Sequence, residues 1–205
     1  MDQVYYIQEQ LISVAHFSGK DIGEIENCRR QHNRLGFGYQ LAFVRILNRF
    51  PSMNPFEIFE DILTYTSIQL SIPTENIHPY TKRRQTIDEH RERIRNYLNL
   101  KRFEEDIITK ISKFIFEEAC RLEQVGALLA KVDTYLKTEN ILRPSENTLR
   151  RLIVHQRQDA KKHIFNKITR SLDQKLIQAL DDLLSTNNGH PSTFHYLKMP
   201  PGRPS

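Results

Sequence analysis

The stretch HNRLGFGYQLAFVRILNRF, residues 32–50, repeats apolar side chains with a period near 3.6 and predicts one long amphipathic helix. The apolar face consists of Leu35, Tyr39, Ala42, Phe43, Ile46, Leu47 and Phe50, and Pro51 follows as a helix stop. Gly36 and Gly38 each cost a helix about 1 kcal/mol relative to alanine. We therefore expect another element to pack tightly against this helix at the two glycines.

The same period continues on both sides of this stretch, and only a weak strand pattern interrupts it, at 192–199. Helices are predicted around 4–15, 21–30, 55–70, 86–98, 103–123, 127–139, 145–169 and 173–185, with a short helical turn after Pro73 and a break at Gly126. The predicted fold class is all-α, built as two tandem small helical domains of helix-turn-helix type. The expected boundaries are 1–101 for the first module, 102–186 for the second, and 187–205 for a linker to absent C-terminal parts.

Composition excludes several classes of protein. With 205 residues, of which 39% are hydrophobic and 27% charged, the chain can bury one moderate core or two small ones. No run approaches the roughly 18 apolar residues of a membrane span, and the first residues lack the pattern of a signal peptide. Cys28 and Cys120 stand alone, which favours reduced thiols over a disulfide or a zinc site. We therefore expect a cytoplasmic protein without membrane contact.

Positive charge is concentrated in two segments. The formal net charge is +5. Residues 78–102 carry eight Lys and Arg against three Asp and Glu, and residues 143–170 carry eight against two. This distribution is more typical of two phosphate-facing patches than of a uniformly basic surface.

The first basic cluster, Lys82, Arg83 and Arg84, precedes a predicted helix. Thr86 followed three residues later by Glu89 has the spacing of a capping box, so the helix is predicted to begin at Thr86. Free backbone N–H groups and the positive end of the helix dipole favour a phosphate there. We include Arg91 among the candidate DNA contacts. The alternatives are a solvated loop and a short basic cluster that only mimics a nuclear import signal.

The second basic cluster follows Pro144, where Ser145 is a good N-cap for a helix that runs to about residue 169. A helix, a short turn and a second helix with a polar, basic start are the layout of a helix-turn-helix. Its first-turn positions meet base edges, Arg on guanine and Asn on adenine. The candidates here are Ser145, Asn147, Thr148, Arg150, Arg151, Arg157 and Lys161. The alternative is an ordinary exposed first turn.

Catalytic patterns are lacking. The eight His residues form no H-x-x-x-H, and GFG at 36–38 lacks the later Gly, the Lys and the preceding strand of a phosphate loop. The acidic runs at 104–106 and 181–182 are typical of helix ends and solvated faces. We assign no catalytic residue, no metal ligand and no cofactor to this chain.

Three ordered segments, at 32–45, 83–98 and 141–164, resemble the N-terminal region of transposases of the Tn-three family. The resemblance spans roughly 20–185 and implies tandem helical modules that bind the terminal inverted repeats of the transposon. It also implies that the catalytic Asp, Asp and Glu, with Mg²⁺ as cofactor, lie in a distant C-terminal nuclease domain that is absent here.

Residues carry over from the family motifs one by one. Asn33 and Arg34 correspond to a helix-start feature. The resemblance assigns Arg83, Arg84, Thr86 and His90 to the first module, and Ser145, Thr148, Arg150 and Arg151 to the second. Gly38 stands where the family has alanine, which bears on packing more than on binding.

The leading hypothesis is sequence-specific binding of double-stranded DNA at transposon ends, by a non-catalytic N-terminal fragment of a transposase for replicative transposition. Its expected location is the bacterial cytoplasm, in association with the nucleoid. The alternatives are a helical protein-interaction scaffold and an RNA-binding module. The sequence leaves open which DNA sequence is recognised, which module dominates, whether the fragment or the full-length transposase self-associates, and whether the parent transposon is active.

Overall fold

A computed structural model describes residues 13–121, 124–185, 192 and 195. Helices α1 to α9 span Gly19–Glu26, Gln31–Leu47, Glu60–Leu70, Ile77–Thr81, Arg84–Tyr97, Glu105–Ala119, Val125–Thr138, Glu146–Ser171 and Gln174–Leu184, and a 3₁₀ turn at Thr74–Asn76 precedes α4. Across these described ranges no strand forms, so the all-α prediction is confirmed. The helix-turn-helix type stays a prediction. The helix expected at 4–15, the weak strand pattern and the linker lie mainly outside the described residues.

Helix α2 lies at the centre of the first half of the chain. Its residues 35–44 are all buried, because α1, α3, α4 and α5 pack around it. The sequence predicted burial of one face only. A Cβ atom built on Gly36 would lie 2.3 Å from the Tyr80 ring, and one on Gly38 would lie 2.9 Å from Leu70 Cδ1. The prediction of tight packing at the two glycines is therefore confirmed.

Replacing Gly36 with alanine should lower the free energy of unfolding by roughly 1–3 kcal/mol, because the new methyl group overlaps the fully buried Tyr80 ring. Gly126→Ala is the matched control. Gly126 is also helical, and its added Cβ meets no atom within 4 Å, so that variant should gain up to about 1 kcal/mol. Urea denaturation of both variants measures the difference. Equal effects at the two glycines would contradict the close contact.

The helix predicted at 55–70 begins only at Glu60. Side chains hold the preceding loop in a non-helical conformation. Glu57 accepts hydrogen bonds from both terminal nitrogens of Arg49, at 2.6 and 2.7 Å, and from the Ser52 amide at 2.9 Å. The Tyr39 hydroxyl accepts from the Phe59 amide at 2.9 Å and donates to the Glu57 carbonyl at 3.0 Å. These long-range bonds outweigh the helical pattern of the local sequence.

Of three further predicted helix boundaries, two are wrong and one is right. Helix α5 begins at Arg84, and the capping box at Thr86 does not form because Glu89 accepts from Gln85 Nε2 instead, at 2.9 Å. Gly126 lies inside α7 and does not break a helix. Ser145 is the N-cap of α8, and its Oγ accepts from the Thr148 amide at 3.2 Å.

The buried apolar residues form two clusters. The first surrounds α2 and includes residues from Ala15 to Ile94, and the second lies between α6, α7 and the first half of α8. Within the second cluster Ile111, Ile115, Leu128, Val132, Leu136 and Leu149 are fully buried. In each cluster, the apolar side chains of the surrounding helices are buried away from water. This burial is the main contribution to the stability of a folded helical protein. The exact division of modules at 101 and 102 stays a prediction.

A seam, made of Asn48, Lys101 and residues 140–143, joins the two clusters. Asn48 ends α2 in the left-handed conformation, with φ of 53°. Its side-chain Nδ2 donates to the Ile141 carbonyl at 2.9 Å, and its own carbonyl accepts from the Arg143 amide at 2.8 Å. The Lys101 amide donates to the Asn140 carbonyl at 2.7 Å. The backbone after α7 is thereby attached to the end of α2.

Candidate nucleic-acid interface

The first tip, residues 82–86, is the start of helix α5. Lys82, Arg83 and Arg84 are exposed and Thr86 is half-buried. The side chain of the N-cap residue Arg83 makes no capping hydrogen bond, so it does not occupy the backbone N–H groups of the first turn. Arg84 Nε lies 3.8 Å from Asp88 Oδ2, in a solvent-exposed pair. The tip can therefore offer an anion three cationic side chains together with backbone donors.

His90 lies in the core and not at the tip. It is 6% exposed, its ring stacks on Tyr80 with 5.5 Å between ring centres, and its Nε2 lies 3.7 Å from Cys28 Sγ. Burial, with the charge of Arg93 as a smaller cause, lowers the pKa of His90 to about 4. A neutral, enclosed imidazole cannot reach a phosphate. The expectation that His90 contacts DNA is corrected on this ground.

Arg91 is half-buried and is engaged within the first cluster. Its Nε donates to Gln40 Oε1 at 3.2 Å, and a terminal nitrogen donates to the Pro51 carbonyl. Its guanidinium carbon lies 5.4 Å from the centre of the Phe50 ring. We therefore assign Arg91 a structural role. Arg91 follows Ile87 by four positions and precedes Ile94 by three, and that spacing is the sequence signal of its inward side.

The second tip, residues 145–151, is the start of helix α8. Asn147, Arg150 and Arg151 are exposed, and Thr148 is half-buried. The Thr148 hydroxyl lies 2.8 Å from the capping Ser145 Oγ. The Arg151 Nε donates to the Asn147 carbonyl at 3.4 Å, one turn earlier in the helix. The structure therefore brings together on one helix start the polar residues that the sequence singled out there.

Glu146 is a feature of the second tip that the sequence interpretation missed. Its carboxylate lies between two guanidinium groups, with 2.7 Å to Arg143 and 2.7 Å to Arg150. Arg143 also holds Asp133, at 2.8 Å. The hydrogen bond from Arg143, the largest cause, lowers the pKa of Glu146. Arg150 is thus paired with a charged carboxylate, and the i,i+4 spacing of the pair was the signal.

The last two predicted contacts lie further along α8. Arg157 and Lys161 line a groove between α6 and α8, with Phe165 and Ile168 on the same helix. Arg157 is half-buried and Lys161 is exposed. Lys161 is therefore more accessible than Arg157 to a ligand that is bound at the second tip.

Across the described residues, no group of three or more His, Cys, Asp or Glu side chains is arranged to hold a metal ion. In the same residues, no helix combines the length and the apolar character needed to cross a bilayer.

The fold and the candidate site place the chain in the class of all-α proteins that expose two separate, cationic helix starts. The chain belongs to the family described as Domain of unknown function (DUF4158), whose sequence profile matches residues 4–156.

The relatives of the chain are transposases. It is similar to the transposase for transposon Tn1546 of Enterococcus faecium, with 28% identity over 194 residues, covering 92% of this chain and 19% of that protein. It is also similar to the transposase for transposon Tn3926 of Escherichia coli, with 26% identity over 199 residues, covering 97% and 20%. The chain spans about a fifth of the length of these curated relatives. The resemblance to Tn-three family transposases is confirmed.

Proposed function

We propose that this chain binds duplex DNA at the terminal inverted repeats of a transposon, as part of a transposase for replicative transposition. One observation carries the proposal: a chain related to transposases presents two exposed cationic helix starts, at Arg84 and at Glu146. Phosphate contacts supply most of the affinity in this proposal, and a few side chains supply the choice of sequence.

The two tips have defined members in this proposal. Lys82, Arg83, Arg84 and Thr86 bind phosphates at the start of α5. At the start of α8 the contacts are Ser145, Asn147, Thr148, Arg150 and Arg151, with Lys161 further along. Helices α7 and α8 form the helix-turn-helix pair, with α8 as the helix that enters the groove.

The proposal also assigns different tasks to different parts of a longer transposase. This segment recognises the transposon end, while Mg²⁺-dependent strand transfer belongs to another part of the protein. The place of action is the bacterial nucleoid, where the transposon ends are found.

A hydroxyl-radical footprint of this chain on the ends of its own transposon tests the proposal. Two adjacent stretches of each end should be protected, one for each helix start, because each start covers its own run of phosphates. Internal transposon DNA of the same length is the control and should stay unprotected at the same protein concentration. Uniform weak protection of both fragments would contradict recognition of the end.

One observation favours a protein-interaction scaffold as a second candidate. Helices α8 and α9 expose large apolar side chains, namely Phe165, Ile168, Leu176, Leu180 and Leu184. A scaffold would show no preference for duplex DNA in the footprint. RNA binding is less well supported, because stacking on unpaired bases needs accessible aromatic rings, and among the described residues only two Phe or Tyr rings, those of Phe59 and Phe165, are exposed.

A further inference from the structure

Helix α8 has a long outward side that is mainly basic and polar, with one acidic residue at its edge, Asp159, whose carboxylate lies 3.3 Å from His155 Nδ1. Opposite the buried Leu149, Ile153 and Ala160, exposed side chains follow one another over about four turns, and they are Asn147, Arg150, Arg151, Val154, His155, Gln158, Lys161 and Lys162. Within this set we define the outer row as Asn147, Arg151, Val154 and Gln158. Their spacings of four, three and four place them in one line along the helix. Val154 is 53% exposed, so an apolar group stands in the middle of a polar and basic row.

Helix α5 carries more carboxylates along its solvent side than α8 does. Its solvent side carries Asp88, Glu89 and Glu92, and the side chains of Asp88 and Glu92 are 54% and 47% exposed. Carboxylates on that side would repel the phosphates that border a groove. The cations at the start of α5 can contact the phosphate backbone of DNA. The acidic side chains along the rest of α5 make that helix unsuited to entering the groove.

The outer row has the chemistry of base recognition. Asn and Gln match the edge of adenine, Arg matches guanine, and an apolar side chain contacts the methyl group of thymine. From Asn147 to Gln158 the helix rises about 16 Å, which corresponds to about five base-pair steps of roughly 3.4 Å. A major groove about 12 Å wide admits a helix of this kind. Lys161 and Lys162, at the far end, are placed for the flanking phosphates.

We propose that α8 lies lengthwise in a major groove and reads bases with its outer row, with Arg151 on a guanine and Val154 on a thymine, while α5 contacts only backbone phosphates. This inference rests on the proposed function, which it deepens by naming the residues that choose the sequence. It also assigns the two helix starts different tasks. Arg150, which is paired with Glu146, belongs to the phosphate contacts and not to the outer row.

The test begins with selection of binding sites by the 205-residue chain from a duplex library with a randomised core. Affinity is then measured for the selected duplex and for a scrambled one. Arg151→Ala should weaken binding to the selected duplex by about 5- to 150-fold and should leave the scrambled duplex nearly unaffected. Arg84→Ala is the matched control. It should weaken both duplexes by the same factor, because a phosphate contact does not depend on sequence.

A second measurement tests the role of Val154 by removing a single methyl group from the DNA. Thymines of the selected duplex are replaced by deoxyuridine, one position at a time. The wild-type chain should bind more weakly when one particular thymine is replaced, and Val154→Ala should be insensitive at that same position. Arg151 and Val154 are both exposed, so circular dichroism should show an unchanged fold for each variant.

The outcomes separate this inference from the proposed function. If the chain does not bind duplex DNA at all, the proposed function fails. If it selects a motif, but Arg151→Ala weakens the selected and scrambled duplexes equally, DNA binding stands and the base-reading role of α8 is overturned. Loss of discrimination in Arg84→Ala, without such loss in Arg151→Ala, would likewise assign base reading to α5 and overturn the inference.

Discussion

Raising the salt concentration from about 50 to about 200 mM should weaken binding of this chain to duplex DNA by about 10³- to 10⁵-fold. This range corresponds to six to ten neutralised phosphates, each of which releases condensed counterions. The exposed cations that can supply them are Lys82, Arg83, Arg84, Arg150, Arg151, Lys161 and Lys162. Fluorescence anisotropy titrations at four or five salt concentrations give the slope of log affinity against log salt.

Charge-removing variants test whether the two tips produce that slope. Replacing both Lys82 and Arg83 with glutamine should reduce its magnitude by about two, since two phosphate contacts are lost. Lys110→Gln is the control, because Lys110 is exposed on α6, outside both basic clusters. An affinity that hardly changes with salt would exclude the phosphate-based mechanism. An equal effect of Lys110→Gln would show that the slope reflects overall charge only.

Acidification from pH 6.5 to pH 4 should remove about 3 kcal/mol of stability through His90 alone. The pKa of this imidazole is about 4 in the folded protein against 6.5 for an unperturbed histidine, because the ring is buried beside Tyr80 and Cys28. Below pH 6.5 the unfolded chain takes up a proton that the folded chain does not. The contribution is therefore complete above pH 6.5 and is lost as the pH falls toward 4. Urea denaturation at half-unit pH steps measures it.

The variant His90→Gln isolates this effect, since its side chain does not titrate. It should be less stable than the wild type at pH 7, because the ring contacts with Tyr80 and Phe37 are lost, but its stability should change little between pH 6.5 and 4.5. His32→Gln is the comparison: burial, more than the nearby arginines, lowers the pKa of His32, so that variant should retain most of the slope. The carboxyl groups of Asp21 and Glu57 have pKa values lowered to about 2 in the folded protein, so they add their own loss of stability only as the pH falls below about 5. An unchanged slope in His90→Gln would refute the assignment.

Local sequence signals predicted the features that depend on local physics. The period near 3.6 gave the all-α class, Ser145 was identified as the cap of α8, and the glycines at 36 and 38 indicated a close neighbour. Each of these requires only the nearest residues or a simple steric argument. The identity of that neighbour, Tyr80, was out of reach because it lies more than 40 residues away in sequence.

The errors arose where long-range contacts overrode a local pattern. The loop before α3 is held by the Arg49–Glu57 pair, which no helical period can reveal. The resemblance to the family motif assigns His90 to the first DNA-binding module, although its spacing from Ile87 and Ile94 places it on the buried side of α5. The pairing of Arg150 with Glu146 was visible as an i,i+4 spacing, but its closeness to Arg143 required coordinates. Candidate sites are thus predicted less well than elements, since burial decides which cations remain accessible.

The seam at Asn48 fixes how the two helix starts are held relative to each other. Because one side-chain bond and one backbone bond join Asn48, at the end of α2, to Ile141 and Arg143, the start of α8 at Ser145 cannot swing independently of the first cluster. DNA completes a helical turn about every 10–10.5 base pairs. A rigid pair of contacts therefore matches only one rotational phase of the duplex. Such a protein would bind more weakly to a transposon end in which the two contacted stretches are displaced by half a helical turn. The loss would occur even if the base sequence of both stretches were unchanged.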